Sequence, residues 1–293
     1  TWPRRIVPGT TYLLTRRCTQ RRFTLVPRGI VPKLIGYCVA LAAERHGILV
    51  HAITVMSNHW HAVVTDPHRR IPEFSRDVHS LIARALNAHL GRWEALWSSQ
   101  RLSLVELVDA PDVWDKLVYT LTNPVEAGLV ARSAEWPGLR TRSVDITRDP
   151  RIFKRPRTKF FRRSRLPKEV RLCLSVPPLL EPCDAYSFAQ ELQERINARE
   201  TTIRERMEAA GRRFMGAADV KRQRRDASPR THEMRRGRDP AVASRDRPRR
   251  LGALERLRRF RDAYRAALAR WRQRAGEVRF PEGTYKMRDY PGV

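Results

Sequence analysis

Two histidines at positions 59 and 61 are the residues whose types and spacing most clearly suit chemistry. His59 and His61 flank Trp60 within the apolar run VMSNHWHAVVTD, residues 55–66. Side chains alternate faces along a β-strand, so a strand here would put both imidazoles on one face, roughly 6.5–7 Å apart, and Trp60 on the other. Two imidazoles so placed can bind one divalent metal ion. His51, on the preceding predicted strand, is a further candidate near such a metal.

A polar face on a predicted helix supplies further candidates. Residues 113–130 have the sequence VWDKLVYTLTNPVEAGLV, and at ~100° per residue their apolar side chains cluster on one side of a helix. Tyr119, Lys116 and Asn123 fall on the other side. Pro124 interrupts the hydrogen-bond ladder, so we expect the regular helix to end near Asn123. A phenol, an amine and an amide would then project together from one helix end.

These groups together suit cleavage of a phosphodiester. The amide oxygen of Asn123 could join His59 and His61 as a ligand of Mg or Mn. Tyr119 could then act as the nucleophile, because a nearby cation favours the phenolate of a phenol whose ordinary pKa is near 10. The metal would polarise the scissile phosphate and offset its developing charge. A divalent metal, Mg or Mn, is therefore the expected cofactor.

The charge of the chain indicates a polyanionic partner. Its 59 Lys and Arg residues outnumber 31 Asp and Glu residues, which leaves a formal charge of +28. Such an excess neutralises phosphates and releases their counterions. A GC-rich genome would explain the preference for Arg over Lys, but not the excess itself. The predicted DNA-binding residues are Lys116, Arg16, Arg17, Arg155, Arg157, Lys159, Arg162 and Arg163.

The order of predicted elements must place these residues. Strands are predicted at 11–19, 48–56, 59–65 and 101–108, and helices at 30–46, 71–90 and about 109–122. This β-α-β-β-α-β order, followed by a helix, predicts an α+β, ferredoxin-like fold: an antiparallel four-stranded sheet with helices on one face. The histidine strand would lie in the sheet interior.

The C-terminal half has a different composition. We expect a catalytic domain over residues 1–130, a basic segment over 131–183, and a helical basic extension over 184–293. The basic segment interleaves Phe with Arg and Lys, which suits either contact with a nucleic-acid backbone or a basic linker. In the extension, helices are predicted at 184–214 and 254–274, with a loosely ordered, Arg-rich stretch near 221–250.

Cysteine usage and hydropathy bear on the compartment. The four cysteines form no C-x-x-C pair, which favours reduced thiols over a disulfide framework or zinc ribbon. No 18-residue apolar run or signal-peptide pattern occurs, so we expect a cytoplasmic, nucleoid-associated protein that does not contact a membrane. The chain begins with Thr1 rather than methionine, and a natural start upstream of Thr1 is one alternative.

Two motifs carry a resemblance to a known family. SNHWHAVV (57–64) and YTLTNPVEAGLV (119–130) resemble the motifs of REP-associated tyrosine transposases, which are single-tyrosine HUH enzymes. The resemblance covers about the first 130 residues of the chain. It implies a ferredoxin-like catalytic fold, with His59 and His61 as metal ligands. Asn123 stands where related enzymes place a third polar ligand, and Glu126 stands where members commonly carry a basic residue.

The resemblance also implies an activity. Tyr119 would attack single-stranded DNA at hairpin sequences, form a 5′-phosphotyrosine link and release a 3′-OH that can later rejoin strands. Related enzymes act as homodimers with exchanged tyrosine helices, or as monomers. One alternative is a non-catalytic DNA-binding regulator that keeps the fold. A second is a hydrolytic metallophosphoesterase, which would need the metal but tolerate loss of Tyr119.

Overall fold

The strands and helices follow the predicted order and then continue into the C-terminal half. The computed structural model describes residues 3–181, 183–231, 240–274 and 276–289. The strands are β1 (Thr10–Arg17), β2 (Leu49–Val55), β3 (His59–Asp66), β4 (Ser103–Leu107), β5 (Arg151–Lys154), β6 (Glu169–Leu172) and β7 (Val242–Ala243). The α-helices are α1 (Val31–His46), α2 (Ile71–Leu90), α3 (Ala110–Glu126), α4 (Ala185–Ala209), α5 (Ala217–Arg222) and α6 (Arg247–Arg272). Short 3-10 helices span Thr19–Arg21, Ser133–Glu135, Ser143–Thr147, Pro178–Leu180 and Lys286–Asp289.

The main sheet has the predicted ferredoxin-like arrangement. Its strand order is β2-β3-β1-β4-β7, and β1 to β4 pair antiparallel. The histidine strand β3 lies between β2 and β1, which confirms its predicted interior position. The two-residue strand β7 adds a parallel fifth strand beside β4. The α+β fold class is thus confirmed, with one extra edge strand.

Helices cover both faces of this sheet. Leu14 and Trp60 belong to a buried core with α1 and α2. The neighbouring positions Leu13 and Val63 belong to a second core with Leu117 of α3 and with α4. Because side chains alternate faces along a strand, α3 lies on the face opposite Trp60. This is the face that carries the two histidines.

Acidic side chains cap the N-terminal ends of α2 and α3. Asp66, at the end of β3, accepts hydrogen bonds from the backbone N–H groups of His68, Arg70 and Ile71 at 2.7–3.1 Å. It therefore satisfies N–H groups at the start of α2 that have no partner within the helix. Asp109 caps α3 in the same way, by accepting from the N–H of Asp112. The predicted start of the tyrosine helix at Asp109 is therefore confirmed.

The predicted end of the tyrosine helix near Asn123 is wrong. Helix α3 continues through Pro124 to Glu126. Proline removes one N–H from the ladder, but the next turn forms, with the N–H of Ala127 donating to the carbonyl of Asn123 at 3.0 Å. Gly128, at φ +68°, then turns the chain, a conformation that glycine adopts without strain. Packing of α3 against α4 accounts for the extra turn, because tertiary contacts override the loss of one hydrogen bond.

The basic segment 131–183 contains an antiparallel hairpin, β5 and β6. It packs on α1: Phe161 meets Tyr37 edge to face, with ring centroids 5.4 Å apart. Phe153 lies directly against Gly36 of α1, where a Cβ atom would overlap its ring. Phe153 and Phe161 belong to the core of α1 and α2. This part of the basic segment is therefore packed against the catalytic domain.

The C-terminal extension is helical, as predicted. Helix α4 packs on α3 and lies within the predicted 184–214 span. The predicted loose stretch near 221–250 falls partly on residues 232–239, outside the described ranges, but residues 240–250 are structured and contain β7. Helix α6 begins at Arg247, seven residues before its predicted start, because Asp246 caps it and Arg249 pairs with Asp109 at 3.0 Å.

Two compartment-related features are visible in the structure. All four cysteines are free thiols. Within the described residues, no helix has both the length and the apolar content needed to span a membrane.

Candidate active site

The two histidines lie side by side at the start of β3. His59 pairs with Arg17 and His61 pairs with Thr15 on the neighbouring strand β1. The imidazole centroids are 4.8 Å apart, with the ring planes at 79°. Trp60 points to the opposite face and is 1% exposed. The predicted alternation along the strand is therefore confirmed.

His61 presents a buried nitrogen that lacks a partner. Its Nδ1 lies 2.7 Å from the Oγ1 of Thr15. Its Nε2 is buried and has no hydrogen-bond partner among the described residues. Burial, followed by the charges of His59 and Arg17, holds the pKa of His61 well below its ordinary value, so the ring is neutral. When Nδ1 donates to Thr15, Nε2 keeps a lone pair of the kind that binds a metal.

The neighbouring His59 is oriented in the same way. Its Nδ1 lies 2.6 Å from the Oδ1 of Asn58. The amide nitrogen of Asn58 donates to the carbonyl of Arg21 at 3.1 Å, which fixes the amide orientation. Oδ1 can only accept, so Nδ1 of His59 is the donor, and the neutral form of this tautomer keeps its lone pair on Nε2. Both histidines are thus oriented through Nδ1, and the Nε2 atom of each is a candidate ligand.

A further histidine, His79 of α2, contacts Trp60 on the opposite face of the sheet. The indole N–H of Trp60 donates to Nε2 of His79 at 3.3 Å, and the indole of Trp97 donates to the His79 carbonyl at 2.9 Å. Burial lowers the pKa of His79 to about 3, so its ring is neutral and accepts. This contact fixes Trp60, and with it the strand between the two candidate ligands. Only the tertiary structure reveals it.

Tyr119 and Asn123 meet the histidines from α3 of the same chain. The Tyr119 ring lies edge to face with His61, centroids 5.3 Å apart at 70°. Tyr119 is 37% exposed, and Asn123 is 7% exposed. The side chain of Asn123 hydrogen-bonds the Tyr119 hydroxyl. The contact that the sequence proposal required between the tyrosine helix and the histidine face is therefore present.

The electrostatics around Tyr119 keep it a neutral phenol. Burial raises the pKa of Tyr119 most, and the charge of Glu126 raises it further. The charge of Arg17 and the hydrogen bond from Asn123 lower this pKa but do not reverse the shift. A further positive charge close to the hydroxyl would be needed to favour the phenolate.

Lys116 lies beside Tyr119, as the helical spacing predicts. Its Nζ is 5.8 Å from the Tyr119 ring centroid and donates to Asp115 at 2.8 Å. Asp115 also pairs with Arg245, which lies just before α6. The C-terminal extension thus reaches the helix that carries the tyrosine.

The donor set fits a metal held by two histidines and an amide. Among the described residues, no group of three or more His, Cys, Asp or Glu side chains could hold a metal, so Asn123 remains the candidate third protein ligand. His51 does not fit: its Nδ1 bonds the Ser175 carbonyl and its Nε2 bonds Thr65 Oγ1, both at 2.8 Å. That His51 lies near the metal stays a prediction, but both of its nitrogens are used in these hydrogen bonds, so neither is a candidate ligand.

The predicted DNA-binding residues divide into two groups. Arg17 and Lys116 lie at the histidine and tyrosine site. Arg16 does not, since it extends to the Trp60 side and donates to the carbonyls of Ser98 and Gln100. The remaining residues lie in the β5–β6 connection, on the α1 and α2 side of the sheet, and the structure does not bring them to Tyr119; they are Arg155, Arg157, Lys159, Arg162 and Arg163.

Glu126 has a partner within the chain. Its carboxylate pairs with Arg199 at 3.0 Å and with Arg206, both on α4. An acidic residue at the end of a helix is unfavourable beside the helix dipole, and these two arginines offset it. The position that is commonly basic in the resembled family here joins the tyrosine helix to the C-terminal extension.

Comparison with known proteins identifies similar structures of one class. The chain matches no protein-family model and no curated protein. A REP-associated tyrosine transposase bound to a REP hairpin is similar over 50% of this chain and 86% of its own, with 19% identity and a TM-score of 0.43. A putative transposase from Deinococcus radiodurans R1 is similar over 32% and 76%, with 22% identity and a TM-score of 0.28. The first of these is a transposase and the second is a putative transposase. At these identities and TM-scores, neither similarity assigns a function to the chain.

Proposed function

We propose that the chain is a metal-dependent transposase and endonuclease that cleaves and rejoins single-stranded DNA at hairpin sequences. The observation that carries this proposal is the contact of Tyr119 with His61, whose buried Nε2 has no partner among the described residues. A nucleophile and a candidate metal ligand are thus adjacent within one chain. A DNA substrate would place the protein on the nucleoid in the cytoplasm.

The proposed metal ligands are His59, His61 and the amide oxygen of Asn123. Mg or Mn bound there would supply positive charge that polarises the scissile phosphate and favours the phenolate. Asn123 can serve both groups, since its amide nitrogen donates to Tyr119 while its oxygen remains an acceptor. Arg17 adds a fixed positive charge that lowers the pKa of Tyr119.

The proposed reaction is an exchange of one phosphate ester for another. The Tyr119 oxygen attacks the phosphorus, its proton passes to solvent, and the bond from phosphorus to the 3′ oxygen breaks. The 3′ oxygen takes up a proton and leaves as a 3′-OH, while the 5′ side stays linked to Tyr119. Because an ester bond replaces an ester bond, a 3′-OH can attack the phosphotyrosine and rejoin the strands.

The proposed substrate is single-stranded or hairpin DNA, which the charge of +28 suits. Both halves of the site come from one chain, so we propose that cleavage occurs in cis. A homodimer with exchanged tyrosine helices is the alternative arrangement. Mixing a His61→Ala chain with a Tyr119→Phe chain distinguishes the two, because only exchanged helices rebuild a complete site.

The test of the function is a covalent adduct on a denaturing gel. Hairpin-bearing single-stranded DNA, labelled on the 5′-phosphate side of the cut, is incubated with the protein and Mg or Mn. We expect an adduct that EDTA prevents and Tyr119→Phe abolishes, and that persists in Tyr186→Phe, a control at an exposed tyrosine of α4. Cleavage that survives Tyr119→Phe would indicate a hydrolase. Binding without cleavage of any hairpin would indicate a regulator.

A further inference from the structure

A second positively charged site lies on the other side of the molecule. The end of α2 and the connection between β5 and β6 enclose a pocket of about 910 Å³. We call it the basic pocket; the Lys and Arg residues that line it are Lys154, Arg155, Arg157, Lys159, Arg162 and Lys168. Glu169 is the one acidic residue in the lining. The pocket is therefore suited to an anion with several charges.

Most of this charge has no partner among the residues that the structure describes. Lys154 lies 3.7 Å from Glu169, and Arg155 donates to the carbonyls of Ser164 and Leu166, which shapes the connection. The other four side chains are exposed and make no ion pair or hydrogen bond within the described parts of the chain; they are Arg157, Lys159, Arg162 and Lys168. Four neighbouring cations without a counter-charge repel one another unless an anion binds.

The pocket is held in place by aromatic packing. Phe161 is buried against Tyr37, and Arg84 of α2 lies over the Phe160 ring, 5.2 Å from its centroid. The cations are therefore presented from a fixed surface of α1 and α2. A fixed surface loses less conformational entropy on binding than a flexible basic tail would.

An exposed tryptophan follows the basic pocket in the sequence, in the loop that leads to β1. Gly91 lines the pocket, and Trp93, two residues later, is 90% exposed. The same loop then reaches the end of β1, where the N–H of Ser98 donates to the carbonyl of Arg17 at 2.9 Å. A flat, exposed indole beside basic residues is suited to stacking on a nucleobase.

The two sites are close enough for one DNA molecule. Seven residue-to-residue steps lead from Gly91 to Ser98, so a fully extended chain would place these two residues at most ~25 Å apart. Nucleotides advance ~3.4 Å per step along a stacked strand. About seven steps therefore cover the path from the edge of the basic pocket to Arg17.

We infer that the basic pocket binds the phosphate backbone of the same DNA that Tyr119 cleaves, and that Trp93 stacks on an unpaired base between the two sites. This inference rests on the proposed function for the identity of the nucleic acid. It assigns the β5–β6 hairpin of the protein a role in holding the substrate, and it places a base-stacking contact outside the catalytic motifs.

The test measures affinity alone, so that it is independent of catalysis. Fluorescence anisotropy follows binding of a labelled DNA hairpin with a single-stranded flank to Tyr119→Phe protein in EDTA, over a series of salt concentrations. Arg157→Ala/Lys159→Ala removes two phosphate contacts. Arg45→Ala/Arg76→Ala is the matched control, because it removes two exposed arginines of α1 and α2 that do not line the pocket.

Each substitution has its own expected signature. Losing two phosphate contacts should lower the slope of log affinity against log salt by about 2 relative to the control. Trp93→Ala should weaken binding by roughly tenfold and leave the salt slope unchanged, and Trp93→Phe should restore most of the affinity. The same hairpin without the flank should be insensitive to Trp93→Ala.

Two results would overturn the inference. One is a salt slope for Arg157→Ala/Lys159→Ala equal to that of the control. The other is a preference of the pocket for an acidic protein or peptide that DNA does not displace. A protein that binds DNA through the pocket yet forms no tyrosine adduct would refute the proposed function and support only the DNA-binding role of the pocket and Trp93. Adduct formation together with an unchanged salt slope would support the proposed function and refute this inference.

Discussion

His61 and Tyr119 lie edge to face, with ring centroids 5.3 Å apart, although His61 belongs to strand β3 and Tyr119 to helix α3. His61 is anchored by Thr15 through Nδ1, and Tyr119 is anchored by Asn123. Nδ1 of His61 and the hydroxyl of Tyr119 are thus each held by a hydrogen bond within the chain. The relationship between a candidate ligand and a candidate nucleophile is therefore built into the fold before any substrate binds.

The first prediction concerns metal binding. We expect Mn²⁺ to raise the melting temperature of the intact chain, because a ligand that binds only the folded state stabilises it, by about 2.7 kcal/mol at one hundred times Kd. His61→Ala removes the buried ligand and should abolish the shift, which EDTA should also reverse. His89→Ala, at an exposed position of α2, is the control and should retain it. An equal shift in all three proteins would argue against this metal site.

The second prediction concerns how α1 holds the β5–β6 hairpin. Gly36 lies in the middle of α1, where alanine would ordinarily favour the helix by about 1 kcal/mol. Here a Cβ would overlap the Phe153 ring, and overpacking of this kind costs about 1–3 kcal/mol or more. We therefore expect Gly36→Ala to destabilise the protein in chemical denaturation and to displace the basic pocket.

A matched substitution tests that explanation. At Gly252 of α6 an added Cβ would meet only the end of the Arg256 side chain, at 3.7 Å. Gly252→Ala should therefore stabilise the chain by up to about 1 kcal/mol. In a Phe153→Ala background the cost of Gly36→Ala should be smaller than in the parent, because the ring that the added Cβ would overlap is gone. Destabilisation by both glycine substitutions would contradict the packing argument.

The catalytic half was predictable because its signals are local. Strict alternation put His59 and His61 on one face of β3, and the helical period put Tyr119 beside Asn123. Both patterns report which face a residue takes, and the antiparallel order then brings the faces together. What they do not report is a contact between distant elements. The bond from Trp60 to His79 is of that kind, and so is the pairing of Glu126 with α4.

The C-terminal half was harder to predict for a physical reason. Strands β5 and β6 have four residues each and β7 has two, which is too short to show a period. They form because they dock onto α1 and β4, so their stability is tertiary. The predicted helix end at Pro124 was wrong for the same reason, because packing of α3 on α4 outweighs one missing hydrogen bond.

The third prediction concerns Glu126 and the tyrosine. Its negative charge raises the pKa of Tyr119, so Glu126→Gln should lower that pKa. Adduct formation should then begin at a lower pH than in the parent protein. The lost pairs with Arg199 and Arg206 are half-exposed, so the free energy of unfolding should fall by about 1 kcal/mol or less.

The control for this prediction is Glu191→Gln on α4. Glu191 also pairs with an arginine, Arg195, at 2.6 Å. Its charge is not among the causes of the raised pKa of Tyr119. This variant should leave the pH dependence of adduct formation unchanged. A shift of equal size in both variants would mean that net charge, and not the position of Glu126, sets the tyrosine pKa.

The last prediction concerns acid stability and uses the two buried histidines outside the proposed metal site. Burial lowers the pKa of His51 to about 4 and that of His79 to about 3, against about 6.5 in the unfolded chain. The unfolded state therefore binds protons first as the pH falls. Stability is complete above pH 6.5 and decreases as the pH falls toward 4, by up to about 1.4 kcal/mol per pH unit for each histidine.

Replacement of one of these histidines tests the assignment. His51→Gln keeps a donor for the Ser175 carbonyl and an acceptor for Thr65, but it does not titrate. Urea unfolding at a series of pH values should show a slope between pH 6 and 4.5 that is about 1.4 kcal/mol per pH unit shallower than in the parent. Equal slopes would mean that His51 is protonated in the folded protein. That result would contradict its two hydrogen bonds, because a protonated ring cannot accept from Thr65.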